Sequence, residues 1–380
     1  MNLNERMLRF QQLLGESADL AFLPISTDLE YLTSVPRDIP NFGVTLHPGA
    51  WLEGGWLTPT QGPILTLPRM TAEFGGLDKL DAEVRVLGDW DDPETLVSEL
   101  LKRFDLPLRP RVAISDQAHA ETVFHLQKLL PDAVFVSATD ILRKLRVVKS
   151  EDEIAVMRRA GEITEAAFGD VLKALKIGMS ELDIIDEVDH QLRKHGSLGP
   201  SFTTSLYNSG PNYPLVFGQR EKKWHRTLTP PVSVLFDFGA VYEGYCYDYG
   251  RTVSFGAPSG DQRKVYDTIM AAQAAGVAAL KAGQATTEQV DAAARKVVED
   301  AGYGPAFRHR LGHGIGRDVH EPPFLTRGDT TLTQAGMLFT IEPSILQFDG
   351  FSARVEDIVV ARPGGGEKLT NGFQELIVIE

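Results

Sequence analysis

At 380 residues the chain is too long for one ordinary domain, so two are expected. Hydrophobic residues make up 43 % and charged residues 24 %, as in soluble globular proteins, and no stretch approaches the roughly 20 apolar residues of a membrane span. A formal net charge of −14 excludes the basic footprint of nonspecific nucleic-acid binding, and a single cysteine, Cys246, excludes an internal disulfide framework.

The opening segment, MNLNERMLRFQQLL, carries acidic residues and no long apolar core, so it is not read as a signal peptide; a cytoplasmic, reducing location is the expectation. Short apolar runs at 19–24 (DLAFLP), 63–68 (PILTLP), 111–115 (RVAIS) and 133–137 (AVFVS) read as strands. Between the last two, Ala118 to Leu130 reads as a helix closed by Pro131, and the alternation suggests an α/β domain. His47, His119 and His125 are scattered through this part with no catalytic spacing.

A boundary is expected near residue 150. Ser150 and Glu153 form a capping box, followed by Ile154, Met157, Ala160, Ile163, Ala167, Val171 and Leu175 at helical spacing. Gly178 stops this helix and Ser180 caps the next, which runs towards Gly196. The pattern recurs about one hundred residues later, where AALKAGQATTEQVDAAA (278–294) is similar to LKALKIGMSELDIIDEV (172–188). Each copy leads into strands, which suggests an internal duplication.

Those strands carry two pairs of carboxylates. Asp237 and Asp248 flank Val241–Gly244, and Glu342 and Glu356 flank Asp349–Gly350. In hairpins centred on these turns the members of each pair face each other across neighbouring strands, about 4.5–5.5 Å apart at Cβ. Their neighbours are apolar: Asp237 follows Val-Leu-Phe, Glu342 follows Leu-Phe-Thr-Ile, and Glu356 lies between Val355 and a Val-Val run. Buried carboxylates of this kind must be neutralised, paired or bound to metal. His313, in GHGIG, supplies a fifth ligand. Four carboxylates overcompensate one divalent ion, so two ions about 3.5–4 Å apart balance them better, and a water bridging them becomes a nucleophile near neutral pH. The oxygen-rich set suits Mn²⁺, with Co²⁺, Zn²⁺ and Fe²⁺ as alternatives. His320 follows His313 by seven residues. It is either a donor to the developing oxyanion or leaving nitrogen, or a histidine that supports the ligands or the fold. Cys246, two residues before Asp248, reads as a small buried strand residue.

Four blocks, LFDFGAVYEGYCYDYGRT, GHGIGRDVHEPP, GMLFTIEP and ARVEDIV, resemble the metallopeptidase family that includes prolidase, aminopeptidase P, methionine aminopeptidase and creatinase. RKLRVVKSEDEIAVMRRAGEI is similar to the junction of its two-domain members, and STDLEYLTSV (26–35) to the creatinase-type N-terminal domain. The resemblance implies an α/β (α+β) protein with a creatinase-like domain over 1–148 and a pita-bread catalytic domain of duplicated halves over 149–380. It implies Asp237, Asp248, His313, Glu342 and Glu356 as ligands of a dinuclear site, with Glu342 and His320 serving catalysis and His320 also serving substrate binding. Family members commonly dimerise, and Trp51 and Trp56 would suit an exposed contact or pack beneath a loop.

The N-terminal domain directs the reading to the Xaa-Pro branch: a metal-dependent peptidase cleaving between an N-terminal residue and proline, as a prolidase or an aminopeptidase P. A creatinase-like hydrolase working without metal, and a non-catalytic peptide-binding protein, are the alternatives. An arginine holding a dipeptide carboxylate favours prolidase, and Arg37, Arg327 and Arg354 are candidates. Arg354, two residues before Glu356, is also placed to orient that carboxylate. Two positions depart from the family pattern: Phe217 stands about where Xaa-Pro members carry a further substrate-handling histidine, and Ser344 replaces the glycine after Ile-Glu-Pro. His225 would replace that histidine only if its loop folded back.

Overall fold

The computed structural model describes residues 2–37, 47–77, 80 and 82–380. The chain divides into two compact units, Met1–Arg146 and Val147–Glu380.

The first unit is built on a mixed sheet of β1 (Leu20–Pro24), β2 (Gly54–Leu57), β3 (Ile64–Pro68), β4 (Glu83–Leu87), β5 (Arg111–Ile114) and β6 (Val134–Ser137), in the order β4-β3-β2-β1-β5-β6. Helices α1 (Leu3–Ser17), α2 (Thr27–Thr33), α3 (Arg69–Phe74), α4 (Pro93–Leu101), α5 (Ala120–Leu129) and α6 (Thr139–Arg146) accompany it. Side chains alternate faces along a strand, so Ala21 and Leu23 enter one apolar cluster while Leu20 and Phe22 enter another. Burial on both faces is why this strand reads as an unbroken apolar run. The four expected strands and the helix after β5 are present. β2 and β4 were not expected: half of Gly-Gly-Trp-Leu is glycine, which is depleted in strands, and Glu-Val-Arg-Val is largely exposed. Trp51 and Trp56 are buried, 3 % and 0 % exposed, and the Trp56 Nε1–H donates to Thr66 Oγ1 at 2.8 Å. The exposed contact considered for them is therefore corrected to packing inside the unit.

The second unit opens with α7 (Glu151–Ala174) and α8 (Glu181–Lys194), each entered through a capping box, Ser150 with Glu153 and Ser180 with Asp183. β7 (Ser205–Ser209), the short α9 (Arg220–Lys223), β8 (Val232–Phe238), β9 (Val241–Tyr242), β10 (Tyr245–Cys246) and β11 (Tyr249–Phe255) follow. Then the pattern repeats with α10 (Gly260–Ala279) and α11 (Thr287–Asp300). These lead to β12 (Gly312–Gly314), β13 (Glu321–Leu325), β14 (Leu338–Ile341), β15 (Ser344–Ile345), β16 (Ala353–Arg354), β17 (Asp357–Arg362), β18 (Gly365–Lys368) and β19 (Ile377–Ile379). One sheet has the order β19-β11-β8-β7 and another β13-β12-β14-β17-β18. The repeated segments at 172–188 and 278–294 occupy matching places, from the end of one helix into the start of the next. Each half buries its helix pair against its own sheet, α7 and α8 in one cluster and α10 and α11 in the other.

The two halves meet where Gly250 of β11 bridges Glu356, with Glu356 N–H donating to Gly250 O at 2.9 Å. Arg251, 1 % exposed, fastens the join. Its Nη1 donates to Gly250 O at 2.8 Å and Glu356 O at 2.7 Å, and its Nη2 to Asp357 Oδ1 at 2.6 Å.

Candidate metal centre

Strand register brings the carboxylates to this join. Ladder pairs on both sides, Ile341 with Asp357 and Ser344 with Arg354, carry one register through Glu342, which faces Glu356. The other pair is not directly opposed, and here the expectation is corrected. Asp237 faces Gly250, and Asp248 lies two residues ahead of that position. The cause is the turn: Glu243 (φ 48°) and Gly244 (φ 76°) are both left-handed, as in a two-residue type I′ turn, and Tyr242 pairs with Tyr245. The hairpin is thus centred one residue later than the Val241–Gly244 segment suggested. Asp237 and Asp248 become diagonal neighbours, still within reach of a shared ion. Gly250 stands between Asp237 and Glu356, where an added Cβ would meet Glu356 Cβ at 2.9 Å and its Oε2 at 3.1 Å.

His313 comes from β12 in the second half. A Cβ on Gly312 would meet Thr340 O at 1.9 Å, so glycine lets this strand run close against β14. The backbone N–H of His313 then donates to Thr340 Oγ1 at 3.1 Å. Its Nδ1 faces Gly314 O at 3.0 Å and carries the proton of the neutral ring, leaving a lone pair on Nε2. That nitrogen lies 3.6 Å from Asp248 Oδ2 and 3.5 Å from Glu342 Oε1.

The electrostatics are those of a site that requires a cation. Burial pushes the carboxyl pKa of Asp237 up against the attraction of Arg354. Burial, joined by repulsion from neighbouring carboxylates, pushes Asp248 and Glu356 well above the ordinary range, and Glu342 rises to about 7, mainly through burial. Burial also holds His313 down at about 3, so its ring is neutral. Both carboxylate oxygens of Glu356 and Oδ1 of Asp248 are buried without a hydrogen-bond donor. Orphaned acceptors of this kind are normally satisfied, and a divalent cation would satisfy all three. Ligand atoms fall into three groups, each within 4.8 Å: Asp237–Asp248–Glu356, His313–Glu342–Glu356 and Asp248–His313–His320. The residues fit divalent metal.

A cavity of about 810 Å³ opens over this cluster. His320 lines it, with its ring 4.1 Å from that of His313 at 66°. Burial and the nearby Arg310 hold the His320 pKa below the usual imidazole value. Of the three candidate arginines, Arg354 lines the cavity, whereas Arg327 is exposed outside it and Arg37 pairs with Glu30 at 3.0 Å in the first unit. Arg354 does not orient Glu356 as expected. Its Nη1 donates to Asp237 Oδ2 at 2.6 Å, its Nε donates to Ser344 Oγ at 2.9 Å, and Nη2 lies 3.8 Å from Glu342 Oε2. The alternating geometry of β15 and β16 is the reason, because Arg354 faces Ser344 across the ladder. Ser344, the departure noted above, thereby gains a role in holding the guanidinium.

Phe217 is 81 % exposed and lies parallel to Tyr207 at 5.9 Å, and His225 is exposed and does not line the cavity. Two further residues at the cavity, His309 and Arg310, were not anticipated. The only available signal was their basic pair just ahead of GHG, which has no motif spacing of its own.

The fold and the cluster define a hydrolase built around divalent metal on a duplicated scaffold. Residues 155–363 match the model of Metallopeptidase family M24. Over 375 residues, covering 98 % of both chains, the sequence is 30 % identical to an Xaa-Pro dipeptidase of Lactobacillus helveticus. The structure is similar to a prolidase from Thermococcus sibiricus, with a TM-score of 0.87, 28 % identity and 100 % of each chain covered. It is also similar to an X-Pro aminopeptidase from Thermotoga maritima, with a TM-score of 0.80, 25 % identity, and coverage of 98 % of this chain and 100 % of that one. The chain belongs to metallopeptidase family M24: it is a pita-bread metallopeptidase, an enzyme that hydrolyses peptide bonds.

Proposed function

We propose that the chain is an Xaa-Pro peptidase, cleaving between an N-terminal residue and proline with two divalent cations held by Asp237, Asp248, His313, Glu342 and Glu356. The observation that carries this is the set of orphaned buried oxygens on Asp248 and Glu356 beside the lone pair of His313. Two of the ligand groups share Glu356, so its carboxylate would be available to both ions. The oxygen-rich donor set suits Mn²⁺. When bound, the ions supply a Lewis acid and a water of lowered pKa.

The chain's own residues do the rest. Glu342 faces the cavity, where it would take a proton from the water that adds to the carbonyl carbon and pass it to the proline nitrogen as the C–N bond breaks. His320 offers an N–H to the scissile carbonyl oxygen. Arg354 positions Asp237 and Glu342 and borders the substrate. The imide bond has no N–H, so a general protease that hydrogen-bonds it loses a contact. The relatives and neighbours named above, dipeptidase and aminopeptidase alike, have Xaa-Pro or prolidase in their descriptions, which supports the substrate class. The reading includes a cytoplasmic homodimer; light scattering tests the dimer and cell fractionation the location.

The direct test is hydrolysis of Ala-Pro and Ala-Pro-Ala by the Mn²⁺-loaded protein, with and without chelator. Chelator-sensitive release of alanine from either substrate supports the reading. No cleavage of either while metal remains bound sinks it.

A further inference from the structure

His320 is the last residue of a loop, 315–320, that leaves β12 after His313 and returns at Glu321, which pairs with Gly314. The side chain of Glu321 turns back into this loop. Its Oε1 accepts from the Arg317 N–H at 3.0 Å and from the Asp318 N–H at 3.2 Å. Gly316 makes room for the carboxylate, since a Cβ there would meet Oε1 at 2.8 Å and Oε2 at 2.9 Å. From β10, the Cys246 N–H donates to Gly316 O at 2.8 Å and its Sγ–H to Arg317 O at 3.3 Å. The other oxygen of Glu321, Oε2, accepts from Lys149 Nζ at 3.0 Å. Lys149 stands just ahead of α7, where its own N–H donates to Gly336 O at 2.9 Å. Lys149 and Glu321 are each only 6 % exposed, so each charge depends on the other for neutralisation. Neither lines the cavity, whereas His320 does. Successive strand residues project to opposite sides, so a Glu321 side chain fixed inside the loop keeps that of His320 turned to the cavity.

We propose that Glu321 and Lys149 are positioning residues for His320: the buried pair sets the loop that aims the imidazole at the scissile carbonyl. This rests on the role given to His320 above and deepens it. A donor to a developing oxyanion works only in its place, and a misplacement of about 1 Å costs on the order of a hundredfold in rate. Lys149 thus acts on the reaction through two intermediaries, the Glu321 carboxylate and the backbone N–H groups it holds.

The experiment uses the Mn²⁺-loaded full chain with the better cleaved of Ala-Pro and Ala-Pro-Ala. Lys149→Met, Glu321→Gln and Lys149→Arg are compared with wild type, each also in a His320→Gln background. Lys149→Met and Glu321→Gln should lower kcat roughly ten- to hundredfold, with KM changed by less than about threefold and the Mn²⁺-dependent rise in Tm retained. Lys149→Arg should recover part of the loss. In the His320→Gln background the same substitutions should change kcat by less than about twofold, because the group they aim is gone. Limited trypsin digestion reads the loop apart from turnover: cleavage after Arg317 should quicken in Lys149→Met and Glu321→Gln. A loss that persists at full size in the His320→Gln background overturns the positioning role and leaves the Xaa-Pro reading standing. An unchanged kcat in His320→Gln itself overturns the role given to His320, and the proposal with it. Should the loaded wild type cleave neither substrate, the Xaa-Pro reading falls, and tryptic cleavage unchanged in both variants overturns the grip on the loop. If Lys149→Met does not fold, the double variant Lys149→Met with Glu321→Gln, which strands neither charge, carries the same comparison.

Discussion

Glu356 is 1 % exposed, and neither of its carboxylate oxygens meets a hydrogen-bond donor. Without metal its charge works against the fold, because burial and the carboxylates of Asp248 and Glu342 both oppose ionisation. Glu356→Gln should therefore leave the metal-free protein as stable as wild type or more so, while abolishing the rise in Tm on adding Mn²⁺. Wild type at 100 times its Kd should gain about 2.7 kcal/mol from the metal. Thermal scans with and without Mn²⁺ check both parts, and a metal-free variant clearly less stable than wild type contradicts the account. Gly250→Ala tests the same point from the facing strand. Its Cβ would enter the space beside Glu356, and overpacking of this kind costs about 1–3 kcal/mol. The expected outcome is a folded protein with weakened Mn²⁺ binding by calorimetry. At this scale the four proposed carboxylate ligands were readable because carboxylates stand out inside apolar strands, and His313 because it sits in GHGIG. Arg310 and His309 were not, since isolated basic residues ahead of a motif have no period to mark them. The partners of Arg354 were also hidden, because they depend on which strand it faces.

Among the elements, the join between halves fixes the site. Arg251 and Asp357 are buried together, and Asp357 also accepts from Gln273 at 3.0 Å and Lys368 at 2.8 Å. Removing Arg251 leaves Asp357 with only the Lys368 charge, so a loss at the low end of the roughly 3–5 kcal/mol for breaking a buried pair is expected. Arg251→Met should lose that much in urea unfolding, and adding Asp357→Asn should recover part of it. Strictly additive losses would show that the two groups do not act as a pair. The Gly250–Glu356 bridge lies beside Arg251, so the single variant should also bind Mn²⁺ more weakly. None of this was readable in advance. Helix caps and apolar periods are local and were read correctly at Ser150 and Ser180. The pairing of β11 with the region of β17 joins residues about one hundred positions apart. The hairpin at Asp237 shows the finer limit: one residue's difference in where a turn is centred moves each partner by two.

For the whole molecule, the duplication at 172–188 and 278–294 foretold paired halves, each with its helix pair and sheet, whereas β2 and β4 of the first unit escaped notice. β2 is glycine-rich because its backbone lies close to β1, where a Cβ on Gly54 would meet Leu23 O at 2.2 Å. β4 is mostly exposed and so has no apolar pattern. The division of the chain carries a last prediction. Every residue lining the 810 Å³ cavity, and all five proposed ligands, belongs to Val147–Glu380. That unit holds two extensive apolar clusters of its own, and its size of over two hundred residues is ample for an independent core. Expressed alone, residues 147–380 should unfold cooperatively and keep a Mn²⁺-dependent rise in Tm that Glu356→Gln removes. The first unit has its own sheet with apolar clusters on both faces, so residues 1–146 should fold alone and show no such response. Circular dichroism melts of the two fragments, each with Mn²⁺ and with chelator, decide the matter. A 147–380 fragment that folds without responding to metal would mean that the cluster at Asp237, Asp248 and Glu356 is assembled only in the full chain.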